Sequence, residues 1–418
     1  MRKSTFLILI TFCFFQFSIS QDKVLFIGNS YTNYNDLPQL TYEVANSTGD
    51  ALIVDGSIVG GSDLEFHATN GFTENNINED DWDYVIIQGG SIEVALTGSY
   101  FDTNVAPYAQ QLAGLIETNF ACSQSIFYRT WGRENGVGGT ICTDYPWMCT
   151  YEGMDDALSV NYRVLADAND GLISPVGAVW RYLIENPNTP ELYDADESHP
   201  ALAGSYAAAC TFYTIILRKD PTLITYDAGL DPAVALQIRN ATKLIVYDQL
   251  ALWKVGEFDP VADFAYLESN GEVTFINNSE NADSFAWDFG DTNTSTDENP
   301  VHTYSSNGNY EVELEVTKCG MTHTYTSNVS VSSLSLEDFE LKKLKVYPNP
   351  AQSMIYIDGI NLEILDSVRL FDILGRSINL TISTTENSVN ISKLKSGHYF
   401  LEVKTKSGLK EIIKVLKK

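Results

Sequence analysis

Long apolar runs are scarce in this chain. The one that stands out, residues 6–17, follows Arg2 and Lys3 and precedes Ser18-Ile19-Ser20, the order of charged, apolar and small residues that marks a cleaved export signal. It is short for a bilayer span, and no later stretch is long and apolar enough to cross one, so an exported mature chain without a transmembrane anchor is expected. Basic residues are also few: 26 Lys and Arg stand against 55 Asp and Glu. Residues 341–418 hold 13 of those bases and 7 of those acids, so in the rest of the chain 13 bases face 48 acids. Such a body repels phosphate backbones and anionic membrane, which argues against nucleic acid and for neutral or small substrates. Of six cysteines, Cys13 lies in the signal and the other five cannot all pair. With no CxxC spacing, no metal centre is expected. Cys142 and Cys149 flank TDYPWM and could bridge in an oxidising compartment. Cys122 and Cys210 sit in apolar stretches, as buried thiols do. Histidine is scarce too: of five, His67 and His199 alone fall within residues 21–256.

What is present alternates. VLFIG (24–28), ALIVDGSIV (51–59), YVIIQ (84–88) and SIFYRTW (125–131) read as buried strands. Between them lie helical patterns: Leu37, Leu40 and Val44 share a face behind Asp36 as N-cap, and residues 104–118 repeat the period. Residues 175–183, PVGAVWRYL, begin a packed helix with a proline near its first turn. Strand and helix in alternation imply a parallel sheet covered on both faces, with ligands at the carboxyl ends of its strands. After Phe258 the period changes to two. EVTFIN and YEVELEV are separated by Asn, Ser and Gly turns, the signature of a β-sandwich. A linker leads into a basic all-β tail.

A serine hydroxyl needs a base to remove its proton and usually a carboxylate to orient that base. Ser30 ends the first strand in FIGNSYT. His199 precedes an apolar helix over 201–217, and Asp196 stands three residues before it, within one helical or 3₁₀ turn. FIGNSYT near the mature N-terminus, with DESHP ahead of the last major helix, resembles the SGNH/GDSL hydrolase superfamily in a variant whose first block reads GNS. The resemblance implies a three-layer α/β/α, flavodoxin-like domain with Ser30 as nucleophile, His199 as base and Asp196 as third member, and no cofactor. It also implies an oxyanion hole built from the Ser30 N–H, a second-block glycine, here Gly60 in preference to Gly61, and a third-block amide. In that third block the chain reads IIQGGSIE where GxND is expected, leaving Gln88, or Ser91, to serve; a Gln-Gly pair here resembles some carbohydrate acetylesterases of the superfamily. YRTWGRENG after the fourth strand offers Trp131 and Arg133 to substrate, although Trp131 could equally close the core. His67 reads as a structural or solvated residue on a polar loop.

WDFGD (287–291), NPVHTY (299–304) and GNYEVELEV (308–316) resemble the PKD type of Ig-like domain. The tail, from LKVYPNP through VRLFDILGR to LKSGHYFLEVKTKSGLKEIIKVLKK, resembles the C-terminal sorting domain of the type IX secretion system of Bacteroidota. It implies export by that machinery, with the protein secreted or attached to the cell surface. The expected division is a signal peptide over 1–20, the hydrolase-like domain over 21–256, the PKD-like sandwich over 257–333, a linker over 334–344 and the sorting domain over 345–418. The expected function is a secreted serine esterase acting on a small-molecule or polysaccharide ester, with an acetyl ester on carbohydrate foremost. Its rivals are a lipid or short-chain acyl esterase and a non-catalytic surface binding or adhesion protein that keeps the fold.

Overall fold

Five apolar runs become parallel strands: β1 (Asp22–Gly28), β2 (Leu52–Ile58), β3 (Tyr84–Ile87), β4 (Gln124–Tyr128) and β5 (Leu172–Ser174). The last is three residues long, too short for a periodic signal, and was not among the strands expected. The computed structural model describes residues 21–186, 188, 190–332, 344–358, 365–378, 382–383, 387–406 and 409–418. The signal expected over 1–20 and nearly all of the linker expected over 334–344 lie outside them. The chain divides into two compact units, Met1–Phe258 and Asp259–Lys418.

In the first unit the strands pair in the order β2-β1-β3-β4-β5, every pairing parallel. This is the flavodoxin-like order, which reverses its winding between β1 and β3 and opens a crevice at their carboxyl ends. Helices cover both faces. Leu37–Asn46, Leu202–Leu217 and Pro232–Ile245 pack together in one layer, and Leu64–Thr69, Ala106–Asn119 and Tyr151–Ala168 form the other. Every residue from Ala203 to Ile216 is buried, so this helix has no wet face and serves as the core of its layer. Asp36 stands before Leu37–Asn46 but does not cap it: its backbone is left-handed (φ 49°, ψ 61°) and its carboxylate makes no cap hydrogen bond. Cys142 and Cys149 are bridged, Cys210 is a buried free thiol, and Cys122, read as a thiol, is disulfide-bonded instead.

Among its described residues the second unit is all β. Its first module pairs strands Phe264–Ser269, Glu272–Asn277 and Val301–Thr303 in one antiparallel sheet, and Ser284–Asp288, Thr294–Ser295, Gly308–Lys318 and Met321–Val331 in another. Alternate residues Val312, Leu314 and Val316 meet Phe264, Phe275 and Trp287 in the core, as period-two patterning requires. Residues 344–418 contribute two four-stranded antiparallel sheets around Ile355, Leu370, Leu401 and Val415.

Candidate active site

The polar end of β1 is explained by what gathers there. Gly28 admits no side chain, since a Cβ would lie 2.4 Å from Thr32 Oγ1 and 2.7 Å from Gln88 Oε1. Asn29 then turns the chain into a short helix, Ser30–Asn33: its Oδ1 accepts from the Tyr31 N–H (3.1 Å), its carbonyl accepts from the Thr32 and Asn33 N–H groups, and its Nδ2 donates to Ser62 O (2.9 Å). Ser30 therefore occupies the first helical position. No described hydrogen bond uses its N–H, one of the orphan donors that every helix start leaves.

The helix over 202–217 is preceded by a turn that brings His199 to this serine. The Asp196 Oδ1 accepts the N–H groups of Ser198 (3.1 Å) and His199 (2.9 Å), while Glu197 adopts a left-handed backbone (φ 61°). The link between Asp196 and His199 is thus an Asx-type turn, and not the helical or 3₁₀ turn expected. Asp196 Oδ2 bonds the His199 Nδ1, and the His199 Nε2 lies 2.8 Å from Ser30 Oγ. Burial works against ionisation of Asp196, but the hydrogen bonds from the His199 ring and the two backbone N–H groups outweigh it and hold the carboxyl at about 2. It is therefore an anion throughout the neutral range, able to fix the ring and stabilise positive charge on it.

Aromatic rings surround the imidazole. Tyr34 stacks on His199 at 4.3 Å and 13°, and Tyr31 meets it edge-on at 5.3 Å. Tyr31 in turn stacks on Trp131 (5.0 Å, 2°), and Trp131 on Trp180 (3.7 Å, 5°). The Tyr31 hydroxyl and Ser198 Oγ share a hydrogen bond of 2.6 Å, and Trp131 Nε1 donates to Ser198 O (3.1 Å). This ladder joins the residues beside Ser30 to the residue before His199. Trp131 is fully buried within it, so it closes the core and offers no face to a sugar. Tyr31, Tyr34 and Ser198 were not singled out in the sequence, where tyrosines near a glycine turn carry no distinguishing pattern.

A cavity of about 340 Å³ opens over Ser30 and His199, walled by Gly61, Ser91, Glu93 and Arg133 among others. Gly61, at φ +74°, lines it, whereas Gly60 does not. Gln88 does not reach it either. Its amide is buried and committed: Oε1 accepts from the Asn29 N–H and Thr32 hydroxyl, both at 2.9 Å, and Nε2 donates to Gly89 O. The amide orientation follows from Asn29, whose N–H requires an acceptor. Gln88 is a brace for the nucleophile turn, and the oxyanion role expected of it is not open to it in this geometry. His67 lies on the helix Leu64–Thr69, not on a loop, and is buried. Its Nε2 sits 3.1 Å from Gly28 O and 2.7 Å from Ser62 Oγ, and its Nδ1 2.9 Å from Thr73 Oγ1. Burial lowers its pKa, so it is a neutral structural link between β1 and the loop after β2.

No sequence pattern singles out Glu93. It is 8 % exposed, its Oε1 accepts from the N–H groups of Gly90 (2.6 Å) and Leu64 (3.1 Å), and burial pushes its carboxyl up to about 7 against the pull of those two bonds.

Comparison with known proteins adds the modules. The family model for the PKD domain matches residues 260–332, and that for the secretion system C-terminal sorting domain matches residues 345–418. The second unit is a PKD domain followed by a sorting domain. A sorting domain marks the chain for export, to the cell surface or beyond it, and among the described residues no helix is long and apolar enough to cross a membrane. A microbial collagenase of Vibrio alginolyticus is 38 % identical over 86 residues, 20 % of this chain; the match spans 10 % of the collagenase's own length. Among solved structures, a DUF4886-family protein of Bacteroides uniformis aligns at 18 % identity over 56 % of this chain and 95 % of its own, with a TM-score of 0.47. A protein of Slackia heliotrinireducens described as an SGNH hydrolase aligns at 23 % identity over 46 % and 98 %, with a TM-score of 0.38. The PKD1 domain of Vibrio anguillarum Epp aligns at 34 % identity over 18 % and 96 %, with a TM-score of 0.18.

Proposed function

We propose that the first unit is an exported serine esterase. One observation carries the reading: a serine hydroxyl at a sheet switch point lies 2.8 Å from an imidazole nitrogen whose other nitrogen is held by an ionised carboxylate. Ser30 Oγ attacks the ester carbonyl as its proton passes to His199 Nε2. The imidazolium formed is stabilised by Asp196 and returns the proton to the leaving alkoxide. Water, activated by the same nitrogen, then releases the acyl group from Ser30. The oxyanion faces the N–H groups of Ser30 and Gly61, neither of which makes a described hydrogen bond, and the Ser91 hydroxyl replaces the amide that Gln88 cannot present.

The cavity suits a short acyl group. Ile92, Tyr31 and Tyr100 are its only large apolar contributors beside the polar residues that line it, and a fatty chain would find little surface to bury. An acetyl ester on a carbohydrate fits best, and the attached PKD domain is consistent with a polymeric substrate. The catalytic module is placed at 21–256, the PKD module at 257–333, the linker at 334–344 and the sorting module at 345–418, behind a signal over 1–20.

Hydrolysis of p-nitrophenyl acetate by the full chain tests this reading. Ser30→Ala and His199→Ala are each expected to reduce kcat by at least about 10³-fold. No turnover by the parent, or equal turnover by all three, would leave a surface binding protein as the better account.

A further inference from the structure

Arg133 is out of character for this domain. Between residues 21 and 258 each other lysine and arginine has a partner: Lys23 meets Asp80, Arg129 and Arg181 meet Asp155, Lys219 meets Asp50, Arg239 meets Asp227, Lys243 meets Asp220 and Lys254 meets Asp167. Arg163 bonds Leu252 O and covers Trp253, and Arg218 is engaged as well. The Arg133 guanidinium alone makes no described hydrogen bond or ion pair, and its Nε–H is buried without an acceptor. Acids are abundant in this part of the chain, so the absence is not for want of carboxylates. A partly desolvated guanidinium left unpaired costs stability. Such a cost is retained where a ligand supplies the missing partner.

Its position says which ligand. Arg133 follows β4 and lines the same cavity as Ser30 and His199, and its loop is pinned to the catalytic turn by the Glu134 N–H donating to Glu197 O (3.0 Å). The acids of the cavity, Asp63 and Glu93, come from the loops after β2 and β3, while β4 lies on the far side of β3 from β1 and β2. We propose that Arg133 is the specificity residue of this cavity and holds a carboxylate carried by the substrate, as on a sugar acid, next to the ester that Ser30 attacks. The planar guanidinium fork matches a carboxylate in two parallel hydrogen bonds. A dianionic phosphate would meet twice the repulsion from the Asp63 carboxylate, so a singly charged group is the better fit. The assignment rests on the esterase reading and deepens it from a carbohydrate acetyl ester to an acetylated acidic carbohydrate.

A matched pair of substrates tests it: mono-O-acetyl methyl galactopyranosiduronate and the corresponding mono-O-acetyl methyl galactopyranoside, which differ in one carboxylate. The parent full chain is expected to favour the uronate by ~10- to 100-fold in kcat/KM, the worth of a charge-assisted hydrogen-bonded pair, with the preference shrinking as salt is added. In Arg133→Met the ratio should fall toward one, chiefly through a higher KM for the uronate, and Arg133→Lys should recover part of it. Titration of both unhydrolysed esters into Ser30→Ala, alone and combined with Arg133→Met, reads the same preference without turnover. A parent that hydrolyses p-nitrophenyl acetate and both sugar esters with equal efficiency, a preference that survives Arg133→Met, or a stronger preference for a sulfated galactoside would each overturn the carboxylate assignment and leave the esterase standing. A parent inactive on every ester would overturn the esterase reading itself.

Discussion

Among the described residues two Asp–His pairs are set against aromatic rings, one in each unit. In the first, Asp196 holds His199, which stacks on Tyr34 at 4.3 Å. In the PKD domain, Asp291 Oδ2 lies 2.8 Å from His302 Nε2, and His302 stacks on Phe289 at 4.3 Å and 6°. Both carboxyls are held below their ordinary range: in each case burial opposes ionisation and the hydrogen bonds from the histidine and nearby groups overcome it. The pairs differ in what the remaining ring nitrogen meets. That of His199 faces a serine hydroxyl at the mouth of a cavity, whereas no described hydrogen bond uses the free nitrogen of His302. A carboxylate and an aromatic face therefore orient an imidazole equally well for structure or for chemistry, and the reactive partner makes the difference.

Substitution of the two carboxylates should separate these roles most sharply. Asp196→Asn is expected to lower kcat by ~10²- to 10⁴-fold with little change in KM, because the ring loses its orienting anion in the transition state. Asp291→Asn should leave ester turnover as in the parent and register as reduced stability of the second unit in a denaturant titration. Equal effects of the two on turnover would break the comparison.

Gln88→Leu comes next. It leaves the buried Asn29 N–H and Thr32 hydroxyl without their acceptor, and a loss of roughly 2–6 kcal/mol in unfolding free energy is expected, at about 1–3 kcal/mol for each orphaned group. Glu93 sets a smaller, pH-dependent effect. With its carboxyl raised from 4.5 to about 7, the native state keeps a proton that the unfolded chain has already released. Stability should therefore fall as pH rises from about 4.5 through 7, by on the order of 1–3 kcal/mol. The Glu93→Gln protein should lose that slope in melts taken across this range. The smallest expected change is that of Tyr34→Leu, which removes the ring beneath His199 and should reduce kcat up to about tenfold, the worth of one aromatic contact.

Local sequence pattern reaches only what residues close in the chain arrange between them. Asn29 and Ser30 follow a β-branched strand, and Asp196 and His199 are three residues apart, so local geometry already restricted what each could do. Gln88 and the choice left open at Trp131 lay beyond it, because both stand beside glycines at the ends of strands, where a side chain turns inward or outward according to neighbours far along the chain. The Gln88 amide is claimed by Asn29 and Thr32, and the Trp131 ring by Tyr31 and Trp180. β5 escaped notice because three residues cannot display a period.

By itself the sequence determined the alternation that makes a parallel sheet, the switch to period two after Phe258, and the polar residues that end β1, since these are properties of short segments and their hydrophobic pattern. The tertiary structure alone decided that Ser30 and His199 meet, that Gly61 and not Gly60 lines the cavity, that Glu93 resists ionisation and that Arg133 has no partner among the described residues. Each of these depends on distance and burial between residues remote in the chain, and packing sets both.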